Sequence, residues 1–139
     1  MPKLGLSNNL TSSGAPIKLD RWSLAFDGSS DYLEIADETE YRFGNDTGDS
    51  PFSLCLWVKL TDVTESALIG KHASNEREYA FTFTGSNELV FYLYDDTENA
   101  YIGRKSSSLV SDEDSWIFLV ATYDATEAAT GISLYKNGS

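Results

Sequence analysis

The chain has one cysteine, one histidine and one methionine in 139 residues. A single cysteine, Cys55, excludes an intrachain disulfide and with it the small secreted disulfide scaffold. Cys55 sits between Leu54 and Leu56 and reads as an inert, partly buried thiol. The single histidine, His72, falls in the loop Lys71-His72-Ala73-Ser74-Asn75 and makes no nucleophile pair with so distant a thiol. Positive charge is scarce as well: 10 basic residues stand against 22 acidic ones, a net charge of −12. A domain so acidic repels phosphate backbones, which speaks against nucleic acid as a partner. No apolar run approaches a membrane span, which speaks against a membrane as well. The first residues, Met1 to Leu10, lack an apolar core of signal-peptide length. The expectation is a protein used in the cytoplasm where it is made, or released by lysis or within an assembled particle. Basic patches, zinc-ligand spacings and glycine-rich phosphate loops are also missing, and no window has a helical period.

Aromatics are plentiful: they make up 13% of the chain, with eight Tyr and seven Phe. Such residues suit a pleated, half-buried surface. The apolar share, 41%, is ordinary for a soluble domain with a real core. Residues 1–20 are rich in turn and linker types (Gly5, Ser7, Asn8, Asn9, Gly14, Pro16) and read as an arm, either loose or packed on a neighbouring subunit. Residues 21–139 read as one domain. Trp22 to Ile35 reads as a hairpin: Trp22, Leu24 and Phe26 share a face, Asp27-Gly28-Ser29-Ser30-Asp31 turns, and Leu33 and Ile35 share a face again. Residues 36–50 read as an acidic loop.

Strong alternation resumes at Pro51 to Leu60, where Phe52, Leu54, Leu56, Val58 and Leu60 define a core face and Trp57 lies opposite. Further strands are predicted at 67–71, 78–84, 88–94, 100–104, 115–123 and 132–136, with 106–115 a polar loop. Ser115 to Tyr123 is apolar on both faces and reads as a central strand. Strands of five to nine residues separated by frequent turns point to an all-β antiparallel sandwich. Asn137-Gly138 is strong hairpin chemistry, since both central residues of a type I′ turn take positive φ. Only Ser139 follows, leaving strand 132–136 with a bare edge. The expectation is a sandwich truncated after this turn, or one whose missing strand comes from a partner.

Four motifs in order, Phe26-Asp27-Gly28-Ser29-Ser30-Asp31-Tyr32, Phe52 to Lys59, Trp116 to Asp124 and Leu134-Tyr135-Lys136-Asn137-Gly138, resemble the concanavalin A-like lectin/glucanase superfamily, specifically its laminin-G-like jelly-roll domains. The resemblance implies carbohydrate binding, adhesion or protein interaction, a structural calcium ion in many members, and further strands beyond the last hairpin. Residues 3–14 separately resemble the N-termini of structural proteins from tailed bacteriophages. These resemblances together imply a non-enzymatic virion structural or decoration protein, contacting other subunits of an assembly and host glycans. The alternative is a calcium-assisted carbohydrate-binding or adhesion domain of a larger cellular protein, extracellular or at the cell surface.

Candidate sites follow. Asp27 and Asp31 are the candidate calcium ligands, since calcium takes six to eight oxygens, often from carboxylates. Asp27, Ser29, Asp31 and Glu38 imitate an EF-hand spacing, but Tyr32 stands where that loop needs glycine. The simpler role of both aspartates is to cap their own turn. Trp57, Tyr92, Tyr94 and Tyr101 are the candidate sugar-stacking residues, with sheet packing as the competing role. No carboxylate pair has the spacing of a glycosidase acid and nucleophile, and Asp95-Asp96 and Asp112-Glu113-Asp114 fall in loops. No catalytic residue is expected.

Overall fold

The computed structural model describes residues 23–35, 41–45, 48–73 and 76–139. These fall in two compact units, one ending at Leu33 and one running from Glu34 to Ser139, each described by itself.

Among the described residues of the second unit, nine strands form antiparallel ladders. A short ribbon pairs β1 (Gly44–Asn45) with β2 (Gly48–Asp49). One sheet has the order β3-β8-β9, from Phe52–Lys59, Trp116–Tyr123 and Ile132–Lys136. The other is a meander, β4-β5-β6-β7, from Ala67–Ala73, Glu76–Phe83, Glu88–Asp95 and Ala100–Ser108. The chain crosses between sheets after β3 and returns after β7, so the two apolar faces meet as a sandwich.

Alternation decides which side chains meet. On β5 and β6, Tyr79, Phe81, Phe83, Leu89, Phe91 and Leu93 are buried; on β8, Ile117, Leu119, Ala121 and Tyr123 are. Phe52 of β3 joins the sheets, with ring centres 5.6 Å from Tyr79 and 5.8 Å from Phe91. Fully buried residues of this size each contribute about 1.5–3 kcal/mol, so this face supplies most of the driving force for folding. β8 lies between β3 and β9, as its apolar character on both faces requires.

The Asn137-Gly138 turn is formed. Asn137 has φ 54° and Gly138 φ 91°, the pair of positive values that a type I′ turn demands. Lys136 and Ser139 exchange N–H···O bonds of 2.9 and 3.2 Å. Asn137 also closes the end of the β8–β9 ladder: its N–H donates to the Phe118 carbonyl, and its Oδ1 accepts from the Phe118 N–H at 2.9 Å. Among the described residues β9 has no partner on its other edge.

Four expectations change. Residues 23–35 carry no strand, although their alternation reads as a hairpin. Alternation selects a face, but a strand also needs a ladder, and among the described residues the hydrogen bonds here close only the central turn. The polar stretch Ser106–Ser108 belongs to β7, because Glu88 pairs with Ser108 and the Leu89 N–H donates to Ser106 Oγ at 3.1 Å. The expected loop 36–50 contains the β1–β2 ribbon. His72 lies in β4 rather than in a loop, opposite Arg77 of β5.

Candidate functional site

The outer face of the four-stranded sheet carries the candidate site. With Leu89, Phe91 and Leu93 turned inward, alternation turns Tyr92 and Tyr94 outward. The Asp96–Asn99 turn folds β7 back so that Tyr101 lies opposite Tyr94, and Gly103 opposite Tyr92. The three tyrosine rings therefore meet: Tyr92–Tyr101 centres are 5.4 Å apart at 89°, and Tyr94 lies 6.0 Å from each of the other two. Tyr92 and Tyr94 are half-buried, whereas Tyr101 is 64% exposed. None of the three hydroxyls is hydrogen-bonded to a described residue, so all three are free to serve a ligand.

A polar rim surrounds one side. His72 packs edge-on against Tyr94 with 5.1 Å between ring centres. The Arg77 guanidinium carbon lies 5.1 Å from the centre of the Tyr94 ring, in cation–π range. Asp96 fixes that arginine: its carboxylate accepts from both the Arg77 backbone N–H and Nε at 2.6 Å. Arg77 Nη2 donates to Asn99 Oδ1 at 3.1 Å. The Arg77 backbone N–H, with help from its guanidinium and from His72, holds the Asp96 carboxyl below its ordinary value despite burial. Burial, and secondarily Tyr92 and Tyr101, pushes the Tyr94 phenol up, with Arg77 opposing.

Trp57 stands apart from this cluster. It lies on the outer face of the other sheet, 63% exposed, with its ring centre 5.3 Å from that of Phe118, its partner across the β3–β8 ladder. The four expected stacking residues thus form one cluster of three and one separate residue. Cys55 shares the face of Trp57 and is exposed, which corrects the reading of a partly buried thiol: flanking leucines mark the opposite face of a strand, not a burial site.

Asp27 and Asp31 shape a turn in the first unit. Asp27 Oδ1 accepts from the backbone N–H groups of Ser29, Ser30 and Asp31 at 2.8, 2.8 and 3.0 Å, and Oδ2 accepts from the Ser30 hydroxyl at 2.8 Å. Asp31 Oδ2 returns the favour to the Asp27 N–H at 3.0 Å. The Ser30 N–H first, then those of Ser29 and Asp31, hold the Asp27 carboxyl far below the usual carboxylate range. Two carboxylates so engaged offer too few oxygens for a calcium shell, and among the described residues no cluster of three or more His, Cys, Asp or Glu could hold a metal ion.

The rim residues His72, Arg77, Asp96 and Asn99, together with Gly103, were not legible as a site. Two signals point to the cluster: closing β6 and β7 about the 96–99 turn sets Tyr94 opposite Tyr101, and a glycine inside a strand marks where another group lies close to the backbone.

A two-sheet antiparallel sandwich with an aromatic outer face is the architecture of lectin-like binding domains. Residues 27–139 match the laminin-G-like family described as the Concanavalin A-like lectin/glucanases superfamily, and the chain belongs to it. It is also similar to the pentraxin-related protein PTX3 of Homo sapiens, 28% identical over 87 residues that cover 63% of this chain and 21% of that protein. The chain thus spans about a fifth of the length of that relative. No solved structure matches. Among the described residues, no helix is long and apolar enough to cross a membrane.

Proposed function

We propose that this domain is a non-catalytic carbohydrate-binding module that stacks a sugar ring on Tyr101, with Tyr92 and Tyr94 completing the platform. The observation that carries the reading is the convergence of three tyrosines, with unpaired hydroxyls, on one outer sheet face of a lectin-like domain. Pyranose C–H faces pack on aromatic rings as other apolar surfaces do, and the phenol hydroxyls and the Asn99 amide supply hydrogen bonds. The setting that suits such a module is an extracellular or cell-surface protein longer than this chain.

Catalysis does not fit the face. Hydrolysis of a glycosidic bond needs two positioned carboxyl groups, and the carboxylate on this rim, Asp96, is committed to Arg77. A virion decoration role draws on the arm, residues 1–20, which lies outside both the described residues and the family match. A calcium ion at Asp27 and Asp31 requires most of its oxygens from beyond this turn, and Asp31 Oδ1 is the carboxylate oxygen that the turn's own bonds leave for it.

The test is a glycan array probed with the wild-type domain and with Tyr101→Ala. Binding that is weakened about tenfold or more by the substitution, a loss of about 1.4 kcal/mol, supports the reading. Binding that Tyr101→Ala leaves untouched places the site elsewhere.

A further inference from the structure

Resting on the tyrosine-face reading, we propose that this site selects neutral sugars over acidic ones, and that Asp96 is the residue that sets this selectivity. An acidic glycan, carrying carboxylate or sulfate groups, needs a cation at the stacking platform whose charge no protein carboxylate already matches. Arg77 is the arginine that touches the cluster, and its charge is already matched: its Nε and backbone N–H donate to the Asp96 carboxylate, and Nη2 donates to Asn99. The same arrangement holds the guanidinium over Tyr94, so Arg77 acts there as a wall of the site.

The other cations of these four strands are likewise engaged. Lys71 Nζ pairs with Glu78 at 2.5 Å, and Lys105 Nζ pairs with Glu88 at 2.9 Å. Arg104 turns its Nη1 to the Ile132 carbonyl at 3.3 Å. Among these strands an incoming anion therefore meets Lys71, Arg77 and Lys105 each already matched by a carboxylate, and Arg104 turned to a carbonyl of the other sheet, on a chain of net charge −12. To draw on Arg77 it must compete with the Asp96 carboxylate, which repels it from beside the same guanidinium. A neutral pyranose faces neither cost. It covers the Tyr101 ring and takes hydrogen bonds from groups that are free.

The experiment sets galactan, mannan and cello-oligosaccharides against polygalacturonate, polymannuronate and heparin fragments. Each is titrated into the wild-type domain at about 0.15 M and about 0.5 M NaCl, since screening weakens anion contacts selectively. Asp96→Asn, which keeps an oxygen acceptor but removes the charge, is titrated alongside. At least one neutral sugar is expected to bind tenfold or more tighter than every acidic one. Asp96→Asn is expected to narrow that gap about tenfold by strengthening acidic binding, a gain lost at high salt. Should Asp96→Asn not fold, the wild-type comparison decides alone. Preference of the wild type for an acidic glycan overturns the proposal, as does a gap that a folded Asp96→Asn leaves unchanged. If that acidic binding disappears in Tyr101→Ala, the tyrosine face survives as the site and only the selectivity falls. If no probe binds in a Tyr101-dependent way, the face and the selectivity fall together.

Discussion

Tyr92 and Gly103 face each other across the β6–β7 ladder, and the tyrosine ring occupies the space a side chain at 103 would need: a Cβ there would come within 2.6 Å of Tyr92 Cδ1. The glycine lets the ring lie down over β7, beside Tyr101. Gly103→Ala is expected to displace the Tyr92 ring, destabilise the domain by about 1–3 kcal/mol and weaken sugar binding. Chemical denaturation and the ring resonances of Tyr92 check this. The double variant with Tyr92→Ala should recover most of the stability loss, because the clash and its partner are removed together.

Tyr101 and Trp57 are the most exposed of the four expected stacking residues, on opposite sheets of the sandwich. Tyr101→Ala should reduce sugar affinity about tenfold, and Trp57→Ala should leave it within about twofold. Both variants should keep stability within about 1 kcal/mol, as exposed positions usually do. Isothermal titration distinguishes them, and loss of binding in Trp57→Ala alone would move the site to the other sheet.

Gly131 is buried in the 3-10 turn just before β9, where a Cβ would lie 2.0 Å from Asp124 Oδ1 and 2.3 Å from Thr126 Oγ1. Those two atoms are bonded to each other at 2.7 Å and brace the turn between β8 and β9, so neither yields freely. Gly131→Ala should cost about 1–3 kcal/mol in denaturant melts. The loss should shrink in a background of Asp124→Ala, whose shorter side chain makes room.

Tyr123 donates its hydroxyl to Asp49 and accepts the Glu127 N–H at 2.9 Å. Burial, and next the Asp49 carboxylate, pushes this phenol up to about 12. A raised folded pKa means that the folded state holds the proton more tightly. The corresponding stability is complete below the unfolded value of about 10 and is lost as pH rises toward 12. Alkaline unfolding of the wild type should therefore steepen between about pH 10 and 12, and Tyr123→Phe should flatten that window while lowering stability at neutral pH by about 1–2 kcal/mol. Difference absorbance of the phenolate follows the titration.

The Asp27 turn should hold without a cation, because its carboxylate already accepts four hydrogen bonds. Chelation with EDTA is expected to leave the melting midpoint within about 1 °C, well under the shift that 1 kcal/mol produces. A larger fall, abolished by Asp31→Asn, would instead establish a calcium ion there. With its folded pKa depressed, Asp27 contributes stability that is complete above about pH 4 and decreases on acidification. Carboxyl NMR titration should find it ionised after ordinary aspartates have protonated.

The fold was legible to the degree that neighbours in sequence settle it. Period-two alternation marked β3, β5 and β6, and the double-faced apolar run marked β8 and placed it centrally. The type I′ turn at Asn137-Gly138 follows from backbone sterics alone. The same local reasoning explains Asp27, whose bonds all fall within four residues of it. Pairing was harder to read. Ser106–Ser108 looks like a loop by composition and is a strand because the β6 backbone lies alongside, and residues 23–35 alternate like a hairpin without a ladder to complete it.

The sequence by itself determined an antiparallel β-sandwich and supplied the tyrosines, because alternation and turn chemistry act over a few residues. Tertiary structure alone decided that Tyr92, Tyr94 and Tyr101 share a face while Trp57 lies on the opposite sheet, and that Asp96 engages Arg77, 19 positions away. Those relationships depend on register and on which sheet a strand joins, and both are settled by the burial of the opposite, apolar faces against each other.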